Sequence, residues 1–162
     1  MFGKLKSLLG GAGIDIPSPV AGTVVPLAEV PDPTLAQGIL GKGAAVVPSE
    51  GRITAPADGT VDLIFDTGHA VSLTTQDGVS LLIHIGVDTV RLAGAHFTVC
   101  CKAEDSVKAG DTLILFDPAA IQSAGYDTIT SVIVCNTEAF AAVRPIRSGA
   151  VAAGDPLLHI DK

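Results

Sequence analysis

The sequence predicts an all-β protein, an antiparallel β-sandwich or barrel with short helical turns. Short apolar runs rich in β-branched residues recur along the chain, and 18 glycines and 10 prolines fall mostly between them. That alternation is typical of many strands joined by tight turns. Two pairs of segments also resemble each other, 19–24 with 56–61 and 107–114 with 151–158. We therefore expect two related turn-and-strand units within one β structure.

Composition narrows the class of protein. The chain has 162 residues, which is the size of one domain, and it must build its core from aliphatic side chains because it has no Trp and one Tyr. The net charge of −7 argues against nonspecific nucleic-acid binding and suits a partner with a basic docking face. Three cysteines without a CxxC pair (Cys100, Cys101 and Cys135) indicate a reducing, cytoplasmic compartment.

The first thirteen residues are expected to form a flexible N-terminal tail ahead of a single domain at 14–162. Residues 1–9 carry four apolar side chains on one helical face and two lysines off it: Phe2, Leu5, Leu8, Leu9, and Lys4, Lys6. This amphipathic pattern predicts a short helix that lies on a membrane surface, here the inner face of the membrane. The alternative is a frayed tail, since so short a helix is marginal in water.

Periodicity and turn signals predict the elements that follow. Strands are expected at 44–47, 60–65, 69–75, 81–85, 96–101, 112–116, 130–135 and 157–160. One short helix is expected after Asp117, which would cap it, with Pro118 in its first turn and Gly125 at its end. Helical turns are expected at 35–38 and 138–143.

Two histidines stand on either side of a predicted hairpin. His69 begins one alternating run and His84 lies inside the next, with Asp77-Gly78 between them as the turn signal. A two-residue or four-residue loop would place both imidazoles on one face of the hairpin, whereas a three-residue loop would place them on opposite faces. We expect an even-length loop and therefore a histidine pair.

Several chemistries use paired histidines. The chain lacks GxSxG, HExxH and CxxC motifs, which argues against a serine hydrolase, a zinc protease and a dithiol redox site. His69 and His84, with Asp88, could bind zinc weakly, although no metal is required. An imidazole nitrogen can also attack a phosphoryl group while the second ring donates a hydrogen bond to it. The alternative is a non-catalytic β-sandwich binding module with a structural or metal-binding histidine pair.

Several motifs together resemble the IIA domain of the glucose-type sugar phosphotransferase system. They are Pro-x-x-Gly-Thr-Val at 19–24, Val-Pro-Asp at 30–32, Thr-Gly-His-Ala at 67–70 and His-Ile-Gly-Val-Asp-Thr-Val at 84–90. The resemblance covers essentially the whole chain and implies an antiparallel β-sandwich. The chain's short length is expected for a separate soluble component rather than for a domain of a longer permease.

The resemblance also implies site residues, partners and an activity. His84 would accept a phosphoryl group from the carrier protein HPr and pass it to a cysteine of a IIB domain during sugar uptake. His69 would stabilise that group, and Thr67 would hydrogen-bond to a site histidine. No cofactor is implied.

The resemblance also implies a docking face for these partners, although only some of its residues match family positions. Asp32 and Asp88 match acidic positions that meet basic residues of HPr, and we expect Leu82, Gly86 and Val90 on the same face, with Gly86 leaving room for a partner's backbone. Relatives whose unphosphorylated form regulates other proteins indicate a second class of partner, regulatory targets.

Overall fold

A computed structural model describes residues 13–162 of the chain. The predicted amphipathic tail and its membrane contact therefore lie outside the described residues, apart from Gly13 at the end of the tail. The all-β prediction is confirmed, because the secondary structure of these described residues consists of strands, two short α-helices and three single turns of 3₁₀-helix. No helix within residues 13–162 is long and apolar enough to cross a membrane.

The elements follow one another closely along the chain. The strands are β1 (Gly13–Pro17), β2 (Gly22–Pro26), β3 (Lys42–Pro48), β4 (Arg52–Thr54), β5 (Gly59–Ile64), β6 (Ala70–Thr75), β7 (Ser80–Ile85), β8 (Phe97–Val99), β9 (Ser106–Val107), β10 (Thr112–Phe116), β11 (Thr130–Val134), β12 (Ala142–Pro145), β13 (Gly149–Val151) and β14 (Pro156–Asp161). The helices are α1 (Pro33–Ala36) and α2 (Pro118–Ser123), and the 3₁₀ turns are Leu27–Glu29, Thr89–Leu92 and Thr137–Ala139.

The strands form three antiparallel sheets. The largest has eight strands in the order β13-β2-β3-β11-β7-β6-β5-β9, and two three-stranded sheets have the orders β1-β14-β12 and β4-β10-β8. Side chains from all three sheets share one buried cluster, which includes Ile16, Ile83, Leu113 and Leu158. Burial of this aliphatic surface is the main force that holds the sheets together.

A second, smaller cluster lies on the other face of the large sheet. It joins Leu27, Val30 and Leu35 to Ala45 and Ile133 of strands β3 and β11. The segment 27–36 therefore covers part of the outer surface of the sheet. The half-buried Leu82 of β7 packs against the same cluster, so this covered region reaches the strand that carries His84.

The repeated sequences form equivalent turns. The Ser18 N–H donates to the Asp155 carbonyl at 2.7 Å, and the Ala55 N–H donates to the Asp111 carbonyl at 2.8 Å. In both turns the aspartate carboxylate also accepts a hydrogen bond from the backbone N–H three residues earlier, at 2.9 Å. The two related units expected from the sequence therefore share one hydrogen-bonding scheme, and the aspartates cap their turns.

The register of the central hairpin differs from the prediction. Ala70 is opposite His84 and Thr74 is opposite Ser80, so paired residue numbers sum to an even number and the loop has an odd length. The Thr75 N–H donates to the Val79 carbonyl at 2.9 Å, which closes a three-residue loop. The expected even-length loop is wrong, because the turn closes at Thr75 and Val79 rather than around Asp77-Gly78 alone.

Candidate functional site

The imidazole rings of His69 and His84 lie against each other despite this register. Their centroids are 5.2 Å apart and their planes meet at 82°. His69 lies just before β6, in a turn where Gly68 has a φ of 73°, so its side chain does not follow the alternation of the strand. The histidine pair is therefore confirmed, although the loop that was expected to create it is wrong.

His84 is held in one tautomer. Its Nδ1 lies 3.0 Å from the carbonyl oxygen of Gly86. A carbonyl oxygen can only accept, so Nδ1 carries the proton and donates it. In the neutral ring the lone pair then belongs to Nε2, which is the nitrogen available to attack an electrophile.

The ring of His69 is fixed by two neighbours. The Thr67 hydroxyl oxygen lies 2.6 Å from Nδ1 of His69, and the ring of Phe65 packs edge-on against it with centroids 5.0 Å apart. When the hydroxyl donates to Nδ1, the proton of the neutral ring sits on Nε2. That N–H can then donate to an anionic group carried by the neighbouring His84.

Both imidazoles favour the neutral state. Burial lowers the pKa of His69 from its ordinary 6.5 to about 4, and the neighbouring His84 adds to this shift. Burial also lowers the pKa of His84, although the hydrogen bond to Gly86 and the charges of Asp32 and Asp88 oppose that shift. A neutral imidazole is the nucleophilic form, so this environment keeps the site reactive at physiological pH.

The two aspartates approach His84 from different elements. Asp32 caps α1, and its carboxylate accepts a hydrogen bond from the Thr34 N–H at 3.0 Å. Asp88 precedes the 3₁₀ turn Thr89–Leu92 in the left-handed region, with a φ of 58°. Both carboxylates act on the pKa of His84, so the structure places these predicted residues around the histidine pair.

The predicted docking residues differ in exposure. Val90 is 51% exposed on the 3₁₀ turn, whereas Leu82 is half-buried beside the second apolar cluster. Gly86 is buried with a φ of 79°, and a Cβ there would come within 2.5 Å of the Asp127 carbonyl and the Thr89 side chain. This chain therefore fills the space at Gly86, and the expectation that the glycine leaves room for a partner's backbone is wrong.

Sequence reasoning missed two residues at this site. The sequence predicts Phe65 only as the last residue of a strand over 60–65, yet its ring packs against His69 and the residue is 40% exposed. Ser131 lies directly opposite His84 on the neighbouring strand β11 and is fully buried. No local pattern distinguishes Ser131 from a core residue, because its position depends on a strand pairing between distant parts of the chain.

A metal site is less well supported than the histidine pair itself. Between residues 13 and 162 there is no group of three or more His, Cys, Asp or Glu side chains arranged to hold a metal ion. A zinc ion bound by His69 and His84 would therefore lack a third His, Cys, Asp or Glu ligand from residues 13–162.

The fold and the site together define a class, an antiparallel β-sandwich that presents two apposed neutral histidines at one surface. Residues 14–140 match the family described as the phosphoenolpyruvate-dependent sugar phosphotransferase system, EIIA 1. The chain belongs to this family. The glucose-type resemblance read from the sequence is therefore confirmed.

Relatives of two architectures resemble the chain. It is 46% identical over 143 residues to the beta-glucoside-specific EIIBCA component of Dickeya chrysanthemi, covering 88% of this chain and 23% of that protein. The glucose-specific EIIBCA component of Corynebacterium glutamicum is 44% identical over 154 residues, covering 95% of this chain and 23% of that protein. The chain thus spans about a quarter of the length of these relatives.

Other relatives match in length as well. The glucose-specific EIIA component of Oceanobacillus iheyensis is 42% identical over 142 residues, covering 88% of this chain and 86% of that protein. Among solved structures, glucose permease IIA from Mycoplasma capricolum superposes with a TM-score of 0.85 at 30% identity, covering 92% of this chain and 96% of that one. This match confirms the predicted β-sandwich fold.

Proposed function

We propose that this chain is a phosphocarrier of the sugar phosphotransferase system that accepts and donates a phosphoryl group at Nε2 of His84. One observation carries the proposal. The Gly86 carbonyl fixes the proton of His84 on Nδ1 at 3.0 Å, while a second histidine ring lies 5.2 Å away. A nucleophilic nitrogen and a hydrogen-bond donor for the transferred group thus occur side by side.

The chemistry at His84 needs no proton transfer at the nucleophile. The Nε2 lone pair forms the N–P bond while the bond from phosphorus to the donor breaks and its electron pair leaves with the donor. Nδ1 keeps its proton and its bond to Gly86 throughout. In the second transfer the cysteine thiolate of the acceptor attacks phosphorus, and the N–P electron pair returns to Nε2.

His69 and Thr67 are proposed to stabilise the transferred group. With the Thr67 hydroxyl donating to Nδ1 at 2.6 Å, the neutral His69 ring carries its proton on Nε2, which would donate to a group on the adjacent His84. A neutral donor suits this role, since burial holds the pKa of His69 at about 4. Hydrogen bonds to an anionic group are stronger than bonds between neutral groups.

The proposed partners are HPr as donor and the IIB domain of a glucose-type permease as acceptor. Asp32 and Asp88 lie close enough to His84 to influence its pKa, so a basic docking face would approach the reactive ring directly. Leu82 and Val90 would add apolar contacts around it. Regulatory targets that bind the unphosphorylated form would use the same face.

The proposal includes a cellular setting. We place the chain in the cytoplasm, where HPr and a IIB domain would meet it, with residues 1–9 touching the inner face of the membrane. Residues 14–162 are proposed to form one domain, and no cofactor enters the transfer. Relatives named for glucose and for beta-glucosides place the family in sugar uptake.

Intact-mass spectrometry tests the proposal. The full chain is incubated with phosphoenolpyruvate, enzyme I and HPr, and we expect one acid-labile phosphoryl adduct. His84→Gln should abolish the adduct. His96→Gln should retain it, because His96 is exposed and lies outside the histidine pair. His69→Gln should accept the group and pass it slowly to a IIB domain.

Two results would count against the phosphocarrier. If the wild-type chain stays unmodified while HPr phosphorylates a control protein, the alternative of a non-catalytic binding module gains, and a zinc titration of the histidine pair follows. If His84→Gln retains the adduct, the site lies elsewhere.

A further inference from the structure

One row of side chains crosses the large sheet through His84. Ala45 of β3 lies opposite Ser131 of β11, Ser131 lies opposite His84 of β7, and His84 lies opposite Ala70 of β6. Directly opposed residues of antiparallel strands point to the same face, with Cβ atoms about 4.5–5.5 Å apart. The reactive ring is therefore flanked by two small residues, of which only Ser131 is polar.

The hydroxyl of Ser131 has no partner. Among residues 13–162 its Oγ is the only buried side-chain nitrogen or oxygen without a hydrogen bond, and the residue is 0% exposed. Leaving a buried donor unpaired destabilises the fold, and alanine would fit the same space without that loss. The unpaired Ser131 hydroxyl lies beside His84, which is proposed to carry a dianionic phosphoryl group. A functional role as a hydrogen-bond donor would explain why this hydroxyl is unpaired.

Other buried serine and threonine side chains behave differently. Thr130 and Ser18 are as buried as Ser131, yet each hydroxyl donates to a backbone carbonyl, at 3.0 Å and 2.7 Å. Buried hydroxyls in this fold thus find local partners where the backbone offers one. Among the buried side-chain hydroxyls of residues 13–162, that of Ser131 alone lacks a hydrogen bond.

We propose that the Ser131 hydroxyl donates a hydrogen bond to a phosphoryl oxygen carried on Nε2 of His84. The inference rests on the proposed phosphocarrier function and adds a second donor to it, on the side of the ring opposite His69. His69 lies in the turn just before β6, whereas Ser131 lies on β11, on the other side of β7. The phosphoryl group would then be held between donors from two strands that flank β7.

The test compares Ser131→Ala with wild type in the phosphorylated and unphosphorylated states. We expect the equilibrium constant for phosphoryl exchange with phospho-HPr to move about tenfold toward the donor, because a bond to a charged acceptor is lost. The ³¹P chemical shift of the phosphohistidine should also move. The melting temperature of the unphosphorylated variant should equal or exceed that of wild type, since the unpaired hydroxyl is gone.

Two further variants make the result specific. Ser72→Ala removes a serine from the same face of the sheet, opposite Leu82 rather than His84, and should match wild type in all three measurements. Ser131→Cys keeps the shape of the side chain but has only a weak donor. It should show the same change in the exchange equilibrium as that expected for Ser131→Ala, and it serves as the test if Ser131→Ala does not fold.

The outcomes separate this inference from the proposed function. If wild type carries the phosphoryl group on His84 while Ser131→Ala and Ser131→Cys keep its exchange equilibrium and ³¹P shift, the inference is overturned and the phosphocarrier stands. A fall in the melting temperature of unphosphorylated Ser131→Ala would also overturn it, since the hydroxyl would then have a structural partner. If wild type takes no phosphoryl group at His84, both fail.

Discussion

At the scale of single residues, the state of His84 is set by opposing influences. Burial disfavours its charged form, whereas the Gly86 carbonyl and the carboxylates of Asp32 and Asp88 favour it. Burial is the largest of these influences, so the pKa of His84 is lowered and the ring stays neutral. The carbonyl meanwhile decides which nitrogen of that neutral ring is free.

We predict that His84 titrates below the ordinary histidine value of 6.5, because burial lowers its pKa. NMR titration of the imidazole ¹⁵N signals of the full chain measures this directly. Asp88→Asn should lower the midpoint further, since one of the charges that raise the pKa of His84 is removed. A midpoint at or above 6.5 in wild type, or an upward shift in Asp88→Asn, would contradict the assignment of causes.

Thr67→Val tests the support of His69. The variant removes the hydroxyl that lies 2.6 Å from Nδ1, so the ring loses its fixed tautomer. Acceptance of the phosphoryl group at His84 should persist, while onward transfer to a IIB domain should slow by up to roughly tenfold, as for loss of one neutral hydrogen bond. Rapid-quench single-turnover assays measure the two steps separately.

The control for this variant is Thr98→Val, an exposed threonine on β8 that lies opposite Leu115 of β10. It should leave both transfer steps unchanged. If Thr67→Val transferred at the wild-type rate, or if Thr98→Val slowed transfer equally, the proposed role of Thr67 would have to be given up.

At the scale of elements, capping residues and apolar periodicity in the sequence predicted the bounds of several strands and helices. Strand β10 (Thr112–Phe116) matches its predicted bounds, and α2 begins where Asp117 accepts a hydrogen bond from the Ala120 N–H at 3.1 Å. The sequence predicts a strand over 130–135, but β11 ends at Val134 and Cys135 is exposed. A single residue at a strand end decides that difference.

The hairpin register could not be predicted from its turn residues. The Thr75 hydroxyl accepts from the Val79 N–H at 3.1 Å, and the Asn136 amide donates to the Gly78 carbonyl at 2.9 Å. The second contact joins parts of the chain that are 58 residues apart. The Asp-Gly pair indicates a turn but does not determine the number of residues in the loop. Contacts between distant parts of the chain therefore help to set the hairpin register.

Gly86→Ala should be among the most damaging small changes in this region. The residue has a φ of 79°, and an added Cβ would meet the Asp127 carbonyl and the Thr89 side chain at 2.5 Å. Gly78→Ala is the matched control, with a φ of 83° and nothing within 4 Å of its Cβ. Both variants bear the cost of alanine in the left-handed region, about 1–2 kcal/mol, and only Gly86→Ala adds a steric clash.

We therefore expect Gly86→Ala to lose about 1–3 kcal/mol more than Gly78→Ala in urea unfolding. Because the Gly86 carbonyl holds the His84 ring at 3.0 Å, phosphoryl acceptance should also slow in Gly86→Ala and not in Gly78→Ala. Equal losses of stability in the two variants would show that the loop at Gly86 relaxes around the added methyl group.

At the scale of the whole molecule, the sequence repeats were the best guide to architecture. In the matched turns, the Asp111 and Asp155 carbonyls accept hydrogen bonds from the Ala55 and Ser18 N–H groups. The repeats in the sequence therefore correspond to two related structural units. The order of the eight strands in the large sheet was not visible. It depends on pairings such as β11 with both β3 and β7, which join segments far apart in sequence.

The buried histidine pair should also make the stability of the folded chain depend on pH. In the folded state the pKa of His69 is lowered from 6.5 to about 4, so the unfolded chain binds more protons between these values. Stability is then complete above 6.5 and falls as the pH drops toward 4. The loss from His69 should reach about 3 kcal/mol near the lower limit.

Urea unfolding of wild type and His69→Gln across this range measures the effect, with the difference between the two curves isolating His69 from other titrating groups. The free energy of unfolding of wild type should fall more steeply with acidification than that of His69→Gln, since glutamine cannot take up a proton. The lowered pKa of His84 acts in the same direction, so His69→Gln should keep a smaller slope of its own. Parallel curves for the two proteins would mean that His69 titrates normally and that burial does not hold the pair neutral.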